Sequence, residues 1–193
     1  MVVGSHNSFT YLQAKNIIGK LTSIFWRCQK LNLDEQLAAG IRCFDVRIRL
    51  SKAGNWEFAH GIAVLTSASE FYNYFEKLNE NNCYVRIVFE DSGKSKKNYN
   101  KYLALCVFLE ETYPNITFFE GRVKGTWEKL YHFIKEPIYL MVNQPVASMC
   151  SWYGKIFPKL WDWFNHKKSR EALDIDADYN LFDFITEKEF VND

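Results

Sequence analysis

NLDEQLAAGIRCFDVRIRL, residues 32 to 50, decides how this chain folds. Asn32 offers a side-chain oxygen to open a helix, and Glu35 stands three residues on to complete a capping box. Leu37 and Ala38 follow, and Gly40 is the stop signal. The next ten residues alternate with period two. Phe44, Val46, Ile48 and Leu50 fall on one face, and Asp45, Arg47 and Arg49 on the other. A strand of this kind buries one side and lines up its charges on the opposite side.

Working outward, the turn SKAGN contains Gly54, and WEFAHG (56–61) pairs back as a hairpin with Trp56, Phe58 and His60 on one face. SASEFYNYFEKLNENN (67–82) reads as an amphipathic helix with Phe71, Tyr74, Phe75 and Leu78 on its apolar stripe. CYVRIVFED (83–91) is a β-branched run ending in two carboxylates, completing a strand–helix–strand unit of a parallel sheet. Further helices are expected over 98–114, around TWEKLYHFIKE (126–136) and after Pro158. Further strands are expected at NITFF (115–119), PIYLMVNQP (137–145) and YNLFDFITE (179–187), the last carrying Asp183. The alternation argues an α/β fold, in which chemistry gathers at the C-terminal ends of the strands.

At 193 residues the chain is expected to form one domain spanning 1–193. Its formal charge of +1 excludes a nucleic-acid binder that works through a broad basic surface. The one basic run, GKSKKNYNK (93–101), reads as a solvated loop entering a helix. Cys28, Cys43, Cys83, Cys106 and Cys150 are scattered and form no metal-binding spacing or disulfide framework, so buried thiols are expected. The chain as given carries no signal peptide, and no apolar run nears the roughly 18 residues of a membrane span. A soluble or peripheral membrane protein is expected, its compartment left open. The 17% aromatic content is high and asks for an explanation.

Several polar residues stand where packing alone would prefer apolar ones: His6 within GSHNSFTY (4–11), Asp45, Arg47, His60, Glu90 and Asp183. Taken singly, His6 could be incidental, and Asp45 with Arg47 could be an ion pair that fixes the sheet. Together, two imidazoles and a guanidinium suit phosphodiester cleavage. One ring takes a proton from the attacking hydroxyl, the other protonates the departing alkoxide, and the arginine holds the charge on phosphorus-bound oxygens.

GSHNSFTY, DEQLAAGIRCFDVRIRL and FAHG, in that order and spacing, resemble the X region of phosphatidylinositol-specific phospholipase C, in particular the small metal-independent bacterial enzymes. The resemblance is strong from Gly4 to about Asp91 and is traceable to NLFDFITE (180–187). It implies an irregular or abbreviated TIM-type (β/α) barrel and cleavage of phosphatidylinositol to diacylglycerol and a cyclic inositol phosphate. It also implies His6 as general base, His60 as general acid, Arg47 on the phosphate, Asp45 orienting the arginine, and Asp183 paired with His6. No cofactor is expected, because Arg47 stands where calcium-dependent relatives place an acidic ligand. The alternative is calcium held by Asn7, Asp45 and Glu90.

Three departures from the family pattern bear on function. Asn7 replaces the Asp that pairs with the general acid in the bacterial enzymes, and is expected to orient His60 or touch substrate. Glu90 replaces a lysine near the inositol, which opens the headgroup preference, and another glycerophosphodiester or a sphingolipid is an alternative substrate. A catalytically weakened lipid-phosphate-binding module is a further alternative. The chain is also shorter than the roughly 250 residues of a typical barrel, so the barrel is expected to be abbreviated or open. Trp152 and Tyr153 are expected at a membrane rim, where amphipathic rings enter the bilayer interface. The expected partners are a phospholipid substrate and the membrane surface, with no nucleic acid, and the chain is expected to be a monomer.

Overall fold

Asn32 accepts a hydrogen bond from the Glu35 N–H at 3.0 Å while Glu35 accepts one from the Asn32 N–H at 2.6 Å, so the capping box forms as the spacing predicts. Gly40 then takes a φ of +84°, left-handed backbone that glycine enters without penalty, and turns the chain into the strand. The computed structural model describes residues 2–66, 68–90, 96–120, 146–148 and 179–182.

In chain order the elements are β1 (Val2–Ser5), α1 (Ile17–Leu21), α2 (Ser23–Trp26), α3 (Leu33–Ala38), β2 (Cys43–Leu50), β3 (Trp56–His60) and β4 (Ala63–Val64). They continue with α4 (Ala68–Glu80), β5 (Tyr84–Phe89), α5 (Lys96–Thr112), β6 (Thr117–Glu120), β7 (Val146–Ser148) and β8 (Tyr179–Phe182). β1 lies between β2 and β8, parallel to both, β5 flanks the other side of β2, and β6 and β7 extend the two ends in parallel. The hairpin strand β3 pairs antiparallel with the last part of β2, Ile48 level with Phe58. This is a mixed α/β sheet dominated by parallel pairing, as the alternation implies. Its strands do not close into a barrel among the described residues. The segments 126–136 and 137–145 and the helix expected directly after Pro158 lie outside the described residues.

The period-two reading of β2 holds: Phe44, Val46 and Ile48 are fully buried in the main core. α4 and α5 cover that face with Phe71, Phe75, Leu78, Leu105 and Leu109, the apolar stripe that 3.6-residue spacing creates. Phe58 packs at 4.2 Å from the ring of Phe9 and 4.8 Å from that of Phe71, with Phe75 and Tyr74 around it. Much of the aromatic content is therefore packing. Cys28, Cys43, Cys83 and Cys106 are buried thiols that form no disulfide among the described residues.

Candidate active site

The loop that follows β1 carries His6 and is tied down along its length. The backbone N–H groups of Asn7 and Ser8 both bond Asp45, one to the carboxylate and the other to the carbonyl, each at 3.0 Å. Gln29 donates to the His6 carbonyl at 2.8 Å, and Gln36 donates to the Ser8 carbonyl at 3.0 Å. Asn7 adopts a φ of +49°, which asparagine tolerates better than most residues. Buried side chains thus fix the backbone that presents His6.

Arg47 is the hub. Its Nη2 lies 3.2 Å from His6 Nε2, its Nε 3.5 Å from Asp45, and its Nη1 3.1 Å from Glu90. The second Glu90 oxygen accepts the Gly61 N–H at 2.7 Å, immediately after His60. Gly61 has a φ of +57°, which accounts for glycine in the His-Gly pair. His60 Nδ1 sits 2.6 Å from the Trp26 carbonyl. The structure therefore brings His6, Asn7, Asp45, Arg47, His60 and Glu90 into one cluster.

Asn7, expected to orient His60, instead faces His6: its Nδ2 lies 3.2 Å from His6 Nδ1 and 3.3 Å from Cys28 Sγ. The Trp26 carbonyl takes the place at His60. Asp183, Trp152 and Tyr153 lie outside the described residues.

The pattern-based reading missed one charged member. Arg86 of β5 is level with Asp45 of β2 in the parallel register, 1% exposed, with Nη1 3.4 Å from the carboxylate. Burial pushes the Asp45 carboxyl up, and the guanidiniums of Arg86 and then Arg47 outweigh it, holding the pKa at about 2. Burial likewise pulls Arg86 down to about 10, against the pull of Asp45, so it stays charged at neutral pH. Arg47 is desolvated too, but Asp45 and Glu90 raise it above its ordinary value. His60 is lowered, first by loss of solvent and then by the Arg47 charge.

A second missed feature adjoins the cluster. Ile17, Ile18, Leu21, Ile24 and Phe25 of α1 and α2 point outward, Leu21 79% exposed, and Ile62 at the β3–β4 turn joins them. The patch is held to the site. Asn16 bonds the Ile62 carbonyl and the Val64 N–H, and Trp26, whose indole bonds the Gly19 carbonyl, also supplies the carbonyl at His60. The spacing 17, 18, 21, 24, 25 was the available signal.

Fold and site define an α/β protein with two histidines, two arginines and two carboxylates gathered at one end of a mostly parallel sheet. A solved structure that shares this fold over most of its length is the phosphatidylinositol-specific phospholipase C of Listeria monocytogenes, with a TM-score of 0.61 at 14% identity, covering 98% of this chain and 89% of that one. Structures of the phosphatidylinositol-specific phospholipase C of Staphylococcus aureus also match, with TM-scores of 0.42 and 0.43 at 17% and 20% identity, over 62% and 63% of this chain and 46% and 47% of those. No family model matches the chain, and no curated protein matches its sequence. The Listeria likeness shows the fold.

Proposed function

We propose that the chain cleaves phosphatidylinositol, or a closely related glycerophospholipid, as a phospholipase C. The observation that carries this reading is the placement of Arg47, with Nη2 on the base nitrogen of His6 and, through Glu90 and Gly61, a fixed relation to His60. His6 Nε2 takes the proton from the inositol hydroxyl, whose oxygen then bonds to phosphorus. Arg47 stabilises the charge on the phosphoryl oxygens. The bond from phosphorus to the glycerol oxygen breaks as His60 delivers a proton to that oxygen, leaving diacylglycerol and a cyclic phosphate.

Once His6 is protonated, its Nε2 has the Asp45 carboxylate 3.7 Å away to balance the charge. Asp183 is the further carboxylate that the family pattern places beside His6. A carbonyl only accepts, so His60 donates Nδ1–H to Trp26 and needs a second proton, on Nε2, to act as the acid. The anionic diester supplies the counter-charge that this form requires.

We also propose that no metal takes part. One Asp45 oxygen and both Glu90 oxygens are engaged by Arg47 and by the N–H groups of Asn7 and Gly61, the other Asp45 oxygen faces Arg86, and a divalent ion there would meet two guanidiniums. The α1–α2 patch is the surface proposed to enter the bilayer, alongside Trp152 and Tyr153. A second reading, a lipid-phosphate-binding module, is favoured by the neutral partner at His60, where a carboxylate would hold the proton better. Phosphorus NMR of phosphatidylinositol vesicles incubated with the protein in EDTA decides between them. A cyclic phosphate product supports the enzyme, retained vesicle binding with no product supports the module, and product formed only with added calcium overturns the metal-free site.

A further inference from the structure

His60 is held by backbone, and that backbone belongs to Trp26. A carbonyl only accepts, so the 2.6 Å contact fixes a proton on Nδ1 and makes Nε2 the ring nitrogen that can serve a leaving oxygen. Trp26 ends α2, and the last carbonyls of a helix have no partner within it, which is why this one is available to a side chain 34 residues away. The Cys28 thiol donates to the same carbonyl at 3.6 Å. A helix of 4 residues cannot fix that carbonyl by itself. The hold comes from the buried Trp26 indole, whose Nε1 donates to the Gly19 carbonyl of α1 at 2.8 Å. Downstream, the Cys28 N–H bonds Thr10 Oγ1 at 3.0 Å and Arg27 Nη2 bonds the Tyr11 carbonyl at 2.7 Å. Upstream, Asn16 holds the turn after His60, donating to the Ile62 carbonyl and accepting the Val64 N–H, each at 2.9 Å. Gly19 is closely packed between these parts, since a Cβ there would fall 2.6 Å from Asn16 Oδ1 and 3.1 Å from the Ala63 Cα.

We propose that Trp26 is the positioning residue of the proposed acid: its indole fastens α2 to α1, and that fastening places the carbonyl that aims His60 Nε2 at the leaving oxygen. Any residue at position 26 would offer a carbonyl. What tryptophan adds is a large apolar body for the core and an N–H at its tip, and here the tip reaches back seven residues to the α1 backbone. The segment from Asn16 to Trp26 thus holds the acid twice, at its ring and at the turn that follows it. Proton transfer demands this kind of hold, because a displacement of about 1 Å at a reacting group costs roughly 10²-fold in rate.

This inference rests on the role proposed for His60, and two readouts keep the two claims apart. The first needs no substrate. Nitrogen-15 NMR of the histidine side chains, with His60→Gln to assign one of the four, is expected to show neutral His60 protonated on Nδ1, and the opposite tautomer overturns the proposal. Trp26→Phe keeps a ring in the core and deletes the N–H. It is expected to lower the Nδ1–H population, and a His60 spectrum identical to the parent's overturns the role of the indole. The second readout compares two soluble substrates without vesicles, the butyl and para-nitrophenyl esters of inositol phosphate. A butoxide needs a proton as it leaves and a nitrophenolate does not, so the butyl ester alone reports on the acid. Trp26→Phe should lower kcat about tenfold to a hundredfold on the butyl ester and less than about threefold on the nitrophenyl ester. Equal losses on both, as a merely structural defect gives, or no loss on the butyl ester, would sink the assignment. Gly19→Ala leaves Trp26 intact and displaces the carbonyl that its indole bonds, so it should split the two esters in the same way; a parent-like ratio there counts against the fastening. If the parent protein cleaves neither ester, the proposed reaction fails, while the hold of Trp26 on His60 stands or falls on the spectra.

Discussion

Replacing Asp45 by Asn keeps the size of the side chain and removes its charge, and the structure sets the cost. Asp45 is fully buried, 3.4 Å from Arg86 and 3.5 Å from Arg47, and it accepts the Asn7 N–H at 3.0 Å. Its pKa of about 2 compares with roughly 3.9 in an unfolded chain, a difference worth about 2–3 kcal/mol of stability at neutral pH. Because the folded value is the lower one, this contribution is present above about pH 4 and is lost as the pH falls toward 2. Seen from Arg86, the same change strips a buried cation of its counter-ion, and breaking such a pair costs about 3–5 kcal/mol. The two figures overlap, so the expected loss is about 3–5 kcal/mol at pH 7, shrinking by about 1 kcal/mol at pH 3. Urea unfolding of both proteins at the two pH values measures it. Adding Arg86→Met to Asp45→Asn should recover part of the loss, since it removes the stranded charge. A loss below about 1 kcal/mol at pH 7, or a gap that ignores pH, would refute the claim that Asp45 is held ionised by two guanidiniums.

Other consequences can be checked as directly. His60 must be protonated to act as the acid, and burial with Arg47 lowers its pKa, so the alkaline limb of kcat/KM is expected below the ordinary histidine value of about 6.5. Glu90→Gln removes a charge that pulls His60 upward and should move that limb lower still; a limb above the ordinary value would place the acid elsewhere. Leu21→Asp with Ile24→Asp removes two exposed apolar side chains from the proposed bilayer face, each worth about 1.5–3 kcal/mol if buried. Vesicle sedimentation should drop at least tenfold with turnover of a soluble diester unchanged, and unaltered sedimentation would put the membrane face elsewhere. Gly4→Ala drives a Cβ into the Leu181 side chain and to 3.0 Å from the Cys43 carbonyl, between two paired strands that cannot part. A loss of about 1–3 kcal/mol is expected, read as a fall in Tm, and an unchanged Tm would contradict the close packing of β1.

What could be read from the sequence was what local physics specifies. The capping box at Asn32, the stop at Gly40 and the two faces of β2 depend on neighbours a few residues away, and the structure reproduces each. α4 likewise followed from its apolar periodicity and β5 from its β-branched run. The helices α1 and α2 were passed over because they have only 5 and 4 residues, so the 17, 18, 21, 24, 25 spacing shows only across both together, and because their apolar side chains point outward. Arg86 was hidden inside a β-branched run, and only the register that sets it level with Asp45 gives it a meaning. The group that holds His60 is a backbone carbonyl, on which residue type says nothing. Gln36 was legible in principle, a polar residue buried on the face that also carries Leu33 and Leu37, but its partner, the Ser8 carbonyl, is 28 residues away. Sequence patterns found the residues of the cluster, while long-range contacts decide which of them meet.

The presence of Arg86 follows from the balance of charge around Asp45. Asp45 and Glu90 contribute two negative charges, and without Arg86 they would face Arg47 alone, leaving a net negative cluster against the phosphodiester of the proposed reaction. With Arg86 in register behind Asp45, the two guanidiniums match the two carboxylates, and the Asp45 charge is answered from behind as well as by Arg47. Arg47 then carries less of the burden of neutralising Asp45, and its outer N–H groups face Glu90 and His6. Burying a guanidinium to this depth is unfavourable by itself, and Arg86 is pulled below its ordinary pKa accordingly. The arrangement makes sense as one that answers the Asp45 charge from behind, so that Arg47 is not committed to it alone, and it makes the pair Asp45–Arg86, rather than either residue alone, the unit that variants must change together.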